Sequence, residues 1–123
     1  DVAWFGLLGH LLEMMKGANT RALLKYEAIP FLEQVTELLN AAVIPGGTRD
    51  NFNFTKSSVE YAEILSEAKQ LMLNDAQTSG GLLISLPQKN AGRLLRNLHG
   101  RGVKHASIIG EVQKFTGNYI EVE

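Results

Sequence analysis

The chain contains no cysteine, and neither sign of charge is in clear excess. Without cysteine, these residues hold no disulfide framework, no thiolate metal site and no cysteine nucleophile. The formal net charge of -1, from 12 basic and 13 acidic side chains, gives no electrostatic reason to expect a nucleic-acid partner. The lack of thiols suits a reducing compartment, and we expect a cytoplasmic protein.

Long apolar runs are also lacking. The stretch 80–86 is far shorter than the roughly 20 apolar residues that span a bilayer, so no membrane partner is expected. No internal repeat or low-complexity segment occurs. The 123 residues, of which 45% are hydrophobic, suffice for one domain with a real core. Because the chain opens at Asp1 without a methionine and its last predicted strand reaches the terminus, we expect a piece of a longer protein.

Hydrophobic periodicity predicts four helices and four strands. We expect helices at 5–16, 30–42, 59–73 and 88–98, and strands at 22–29, 82–86, 106–114 and 119–122. Gly17 is expected to stop the first helix, and 46–56 to form a loop. The last two strands are expected to pair as a hairpin. This order predicts an α+β fold, with helices layered on a mostly antiparallel four-stranded sheet.

Three segments, 1–9, 46–51 and 75–81, are rich in glycine and short polar residues. Glycine lets backbone N–H groups approach a ligand, as in loops that cradle phosphate. Gln77–Ser79 add side-chain donors directly before Gly80-Gly81. The alternative is that these glycines only cap helices and open strands. Neither glycine pair is followed by the Lys-Ser/Thr of a P-loop.

Single side chains leave their roles open. Asp1 precedes a helix and could either cap it or bind a cation. His10 has no second histidine or carboxylate at metal-ligand spacing, so it is expected to be packed or to face solvent. His99 lies at a helix C-terminus, where a structural role is favoured. The residues alone therefore indicate an α+β domain with candidate anion-binding loops.

Four stretches occur in an order that resembles a known family. "DVAWFGLLGHLLEM", "PGGTRDN" and "NDAQTSGGLLISLP", followed by "ASIIGEV", are similar to the C-terminal domain of selenide, water dikinase (selenophosphate synthetase). The resemblance covers essentially the whole chain. The wider superfamily includes aminoimidazole ribonucleotide synthetase, whose C-terminal domain has an α+β fold that is partly ferredoxin-like.

This resemblance implies ATP-dependent phosphorylation of selenide to selenophosphate, with release of AMP and phosphate and with Mg2+ as cofactor. Asp1 would bind the magnesium–nucleotide cluster. Two loops facing the cleft between two domains would support the nucleotide. The residues matching the family's loop motifs are Gly46, Gly47, Thr48, Asn51, Gln77, Thr78, Ser79, Gly80 and Gly81.

In this family the catalytic cysteine or selenocysteine, a lysine and most metal-binding aspartates belong to an N-terminal domain. The resemblance therefore implies that the chain works with its own N-terminal domain in a homodimer, holds no catalytic residue and is inactive alone. Ala3-Trp4 stands where the family has Thr-Gly, and Ala76 where it has proline. The first departure motivates an alternative, a non-catalytic domain for anion binding or dimerisation. A sister synthetase acting on a nucleotide intermediate is a third reading, which Gln77–Gly81 disfavour.

Overall fold

The computed structural model describes residues 2, 4–32, 35, 37, 41, 46–75 and 81–123. It confirms the predicted α+β fold, and these ranges contain four helices and a four-stranded sheet. The helices are α1 (Gly6–Ala18), α2 (Gly46–Thr55), α3 (Glu67–Met72) and α4 (Gln88–Gly100). The strands are β1 (Thr20–Leu24), β2 (Val59–Tyr61), β3 (Gly110–Lys114) and β4 (Ile120–Val122). None of the helices in the described ranges is long and apolar enough to cross a membrane.

Helix α1 supplies one side of the core. Its buried apolar residues recur at spacings of three and four, which confirms the predicted amphipathic helix. The prediction that Gly17 stops this helix is wrong, because the helix runs to Ala18. Asn19 then adopts the left-handed conformation, with φ of 52°, and its N–H bonds to the Lys16 carbonyl.

The sheet supplies the other side of the core, in the strand order β2-β4-β1-β3. β4 runs parallel to both β1 and β2, while β1 and β3 are antiparallel. The prediction of a mostly antiparallel sheet is therefore wrong, because this sheet is mixed. The predicted hairpin is also wrong, because β1 lies between β3 and β4.

Burial explains the strand order. Ala22 and Leu24 of β1 are buried and pair with Ile120 and Val122 of β4, which are also buried. β1 and β4, which each contain two buried residues, take the central positions, where one face can be covered by α1. β3 has no fully buried residue and lies at an edge. The core between α1 and the sheet consists of Leu8, Leu11, Leu12, Met15, Ala22, Leu24, Tyr26, Val59, Leu65, Leu73, Ile120 and Val122.

The predicted loop at 46–56 is wrong, since Gly46–Thr55 form helix α2 and Lys56–Ser58 a 3-10 turn. The glycine pair lies in the first turn of α2, where N–H groups have no acceptor within the helix in any case. Thr48 and Thr55 are buried, although both are polar. Tertiary packing thus overrides a weak local helix propensity.

The predicted helix at 59–73 is wrong over its first half. Val59 is buried, Glu60 exposed and Tyr61 half-buried, and this alternation belongs to strand β2 paired with β4. Only Glu67–Met72 are helical. Ser66 caps this helix, because its hydroxyl accepts a hydrogen bond of 3.3 Å from the Lys69 N–H.

Three further element predictions have different outcomes. Helix α4 confirms the predicted helix at 88–98 and extends it to Gly100. β1 is shorter than predicted, because Tyr26–Ala28 form a 3-10 turn, and residues 82–86 are described without a strand. The predicted helix at 30–42 lies largely outside the described residues.

Candidate functional site

The three motif blocks of the sequence, 1–14, 45–51 and 74–87, meet at helix α2. The side-chain amide of Asn51 donates two hydrogen bonds, one to the Trp4 carbonyl at 2.8 Å and one to the Asn74 carbonyl at 3.1 Å. Trp4 belongs to the first block and Asn74 to the third. One amide of the second block therefore joins all three.

A second contact joins the second and third blocks. Thr48, which is 2% exposed, donates from its hydroxyl to Oδ1 of Asp75 at 2.8 Å. Sequence reasoning assigned no role to Asp75. The signal that could have found it is that Asp75 is the only acidic residue of the third block.

The buried side chain of Asn74 lies at the centre of this junction. Asn74 is 0% exposed, and its Oδ1 accepts a hydrogen bond from Thr55 at 2.7 Å. Its Nδ2 donates to the Gln70 carbonyl at 2.8 Å and to the Tyr61 hydroxyl at 3.3 Å. Both ends of the amide are thus hydrogen-bonded, as a buried polar group requires.

The first block packs directly on the backbone of the third. The Leu8 N–H donates at 3.2 Å to the carbonyl of Leu73, the residue directly before the third block. Gly6 has φ of +71°, and a Cβ at this position would lie 2.7 Å from the Asn74 carbonyl carbon. Only glycine accepts both this conformation and this close approach. Farther along the third block, the Gly81 carbonyl accepts from the Val2 N–H at 2.9 Å.

The polar network around Asn74 is uncharged at neutral pH. Burial raises the pKa of Tyr61 above its ordinary value, although hydrogen bonds to Asn74 and Thr55 act in the opposite direction. A tyrosine in this state holds its proton and can donate or accept a hydrogen bond. The network is therefore suited to fixing the fold rather than to moving protons.

The predicted site residues fall into three groups. Gly46, Gly47 and Gly81 are exposed, the first two in the first turn of α2. Thr48 and Asn51 point their polar atoms at the neighbouring blocks. The remaining predicted site residues lie outside the described residues: Asp1, Gln77, Thr78, Ser79 and Gly80.

The exposed start of α2 can attract an anion. The first N–H groups of a helix have no intrahelical acceptor, and the helix dipole adds positive potential there. In the described ranges, no three His, Cys, Asp or Glu side chains are placed to hold a metal ion. The exposed start of α2 is therefore the candidate anion site within the described ranges.

Two histidines take the packed or structural roles expected of them. The ring of His10 contacts the ring of Phe5 edge-on, with 5.7 Å between centroids. Nε2 of His99 lies 2.9 Å from the Ala106 carbonyl and ties the end of α4 to the following segment. Neither contact belongs to the junction of the blocks.

A concavity of the described residues lies apart from this junction. An open groove of about 320 Å3 runs along α4 and is lined by Leu86, Asn90, Arg93, Leu94 and Asn97. None of the residues that join the three blocks lines it. We therefore place the candidate site at the start of α2, where the motif residues converge.

The chain is similar to known proteins over most of its length. Residues 1–123 match the family described as AIR synthase related protein, C-terminal domain. A protein named selenide, water dikinase from Myxococcus xanthus is 48% identical over 113 residues, which cover 92% of this chain and 32% of that protein.

Two further proteins of the same name show how much of a longer chain is matched. The one from Aliarcobacter butzleri is 37% identical over 112 residues, covering 91% of this chain and 32% of its own length. The one from Clostridioides difficile is 36% identical over 122 residues, which cover 99% of this chain and 35% of that protein. The chain thus spans about a third of the length of these relatives. It belongs to the family of AIR synthase related protein C-terminal domains.

Proposed function

We propose that this chain is the C-terminal domain of a selenide, water dikinase. The full-length protein would use ATP to phosphorylate selenide to selenophosphate, releasing AMP and phosphate. The similarity to proteins of that name over 91% to 99% of the chain supports this proposal. The observation that carries it is the Asn51 amide, which holds the three motif blocks together at the start of α2.

In this proposal the start of α2 faces the nucleotide. The exposed Gly46 and Gly47 would present backbone N–H groups to phosphate oxygens, because both lie in the first turn of α2 and neither carries a side chain. Thr48 and Asn51 hold this turn in place from behind, through Asp75 and Asn74. The described residues thus fit an anionic nucleotide.

Magnesium is proposed as the cofactor, with Asp1 as the ligand that this chain supplies. A carboxylate is the ligand type that Mg2+ prefers, and the bound ion would neutralise phosphate charge. Asp1 lies outside the described residues, and the other ligands would come from the rest of the full-length protein. The proposal further includes a cytoplasmic homodimer with the catalytic residues in the N-terminal domain.

Phosphorus NMR of the full-length protein with ATP, Mg2+ and sodium selenide tests the function. We expect AMP, phosphate and selenophosphate to form together, and only when selenide is present. If selenide causes no additional loss of ATP under anaerobic conditions, the proposed reaction is wrong.

The exposed aromatic pair in the first block favours a second candidate function. Trp4 is 66% and Phe5 54% exposed, and such a pair is typical of a docking surface. In a non-catalytic domain this pair would bind another part of the assembly, and no nucleotide would be consumed. The same NMR experiment separates the two, because the second candidate leaves ATP intact.

A further inference from the structure

Asn74 carries a polar side chain that is fully buried. Burying an amide is costly unless its donors and acceptor are hydrogen-bonded. Here the partners come from three elements: Thr55 at the end of α2, Tyr61 on β2 and the Gln70 carbonyl in α3. The amide therefore fixes the relative positions of these three elements.

The main chain of the same residue meets the other two blocks. Its carbonyl oxygen accepts a hydrogen bond from the Asn51 amide. A Cβ added at Gly6 would lie 2.7 Å from its carbonyl carbon. The next residue, Asp75, accepts from Thr48. A shift of Asn74 would thus be passed to α2 and to the start of α1.

We propose that Asn74 is a positioning residue that holds the first turn of α2 in its ligand-binding position. Asn74 is 0% exposed and cannot touch a substrate, so it acts through Asn51, Asp75 and Thr48. An effect of Asn74 on the KM for Mg-ATP rests on the proposed function. An effect of Asn74 on the local stability of α2 does not.

The kinetic test compares Asn74→Ala with Ile120→Ala in the full-length protein. Ile120 is equally buried but lies in β4, paired with Ala22 and Val59, which take no part in the junction. We expect both variants to lose thermal stability. Only Asn74→Ala should raise KM for Mg-ATP, by about tenfold, with a smaller change in kcat, because a displaced helix start binds phosphate less well.

The mechanical test measures amide hydrogen exchange with no substrate present. Exchange in 46–51 and 73–75 should become faster in Asn74→Ala and stay unchanged in Ile120→Ala. If both variants exchange alike in these segments, Asn74 is an ordinary core residue and the positioning role is wrong. If exchange changes as expected but the wild type does not consume ATP with selenide, the positioning role holds and the proposed function fails.

A milder pair of variants serves if Asn74→Ala does not fold. Thr55→Val removes the hydroxyl that donates to Oδ1 of Asn74 and also lies 3.4 Å from the Phe52 carbonyl, whereas Thr55→Ser retains a hydroxyl. We expect Thr55→Val to accelerate exchange in 46–51 and Thr55→Ser to restore it. Equal exchange in the two variants would overturn the proposal, since the hydrogen bond would then not hold α2.

Discussion

Thr48 and Asn51 belong to a motif block that the resemblance in sequence leads us to expect at a nucleotide site, yet their side chains bind other parts of the protein. Thr48 donates to Asp75, and Asn51 donates to two backbone carbonyls. Such side chains serve a site by fixing the backbone that forms it. The type and order of these residues follow from the sequence, but their hydrogen-bond partners lie too far away along the chain to be predicted.

Asp1→Asn tests the proposed metal ligand. In the full-length protein we expect selenide-dependent AMP formation to fall at least about tenfold, because a carboxylate ligand loses its charge. Asp50→Asn is the matched control, since Asp50 is exposed on α2 and the change removes the same charge. Unchanged turnover and unchanged Mg2+ dependence in Asp1→Asn would show that Asp1 only caps a helix.

Tyr61 gives a prediction for alkaline pH. Its pKa in the folded chain is raised above the ordinary value of about 10, chiefly by burial. The unfolded chain therefore releases the proton first, and stability that is fully present below pH 10 is lost as the pH rises above it. We expect the urea concentration at the unfolding midpoint to decrease as the pH is raised from 9 to 11. The decrease should be smaller in Tyr61→Phe.

Tyr26 complicates this measurement in a defined way, because burial and Glu27 also raise its pKa. The single variant Tyr26→Phe and the double variant Tyr26→Phe/Tyr61→Phe separate the contributions of the two tyrosines to the pH dependence of stability. A wild-type midpoint that does not change between pH 9 and 11 would contradict the prediction for both tyrosines.

Among the helices, those with a strong apolar stripe were predictable and those held by distant partners were not. α1 and α4 follow from apolar residues at helical spacing. α2 was predicted to be a loop, because its glycines and asparagines are poor helix formers. Its helical state depends on buried Thr48 and Thr55, whose partners are Asp75 and Asn74.

Gly6→Ala tests the packing of α1 on the third block. We expect a loss of at least about 1–2 kcal/mol from the left-handed backbone alone, with an added cost from contact with Asn74. Thermal unfolding measures the change.

Gly17→Ala is the matched control in the same helix, because its Cβ would have no neighbouring atom within 4 Å. This variant should be neutral or more stable by up to about 1 kcal/mol, as expected when alanine replaces a helical glycine. Equal changes in thermal stability for the two substitutions would show that the backbone conformation and close approach at Gly6 do not affect stability.

The molecule as a whole is uneven in burial and in charge. The core lies between α1 and the sheet, whereas α4 has no fully buried residue. Five of the 12 basic residues and none of the 13 acidic residues lie within 82–110, the region that includes α4. This basic region also contains no fully buried residue.

Under the proposed function, residues 1–123 alone should show no selenide-dependent ATP consumption. Phosphoryl transfer needs positioned metal ions and charged groups, which the proposal assigns mainly to the N-terminal domain. The full-length protein, assayed beside the 123-residue chain by AMP formation, is the positive control. A rate above that of buffer with Mg2+, ATP and selenide would contradict this prediction.

The sequence by itself determined the α+β class, the amphipathic helices α1 and α4, and the presence and order of the three motif blocks. These properties depend on residue type and on spacings of a few residues. Only the tertiary structure decided that the sheet is mixed, that Val59–Tyr61 form a strand and that Gly46–Thr55 form a helix. It also decided that Asn74 is the buried centre of the junction. Strand pairing and the burial of a polar side chain depend on partners remote in the chain, which local periodicity does not encode.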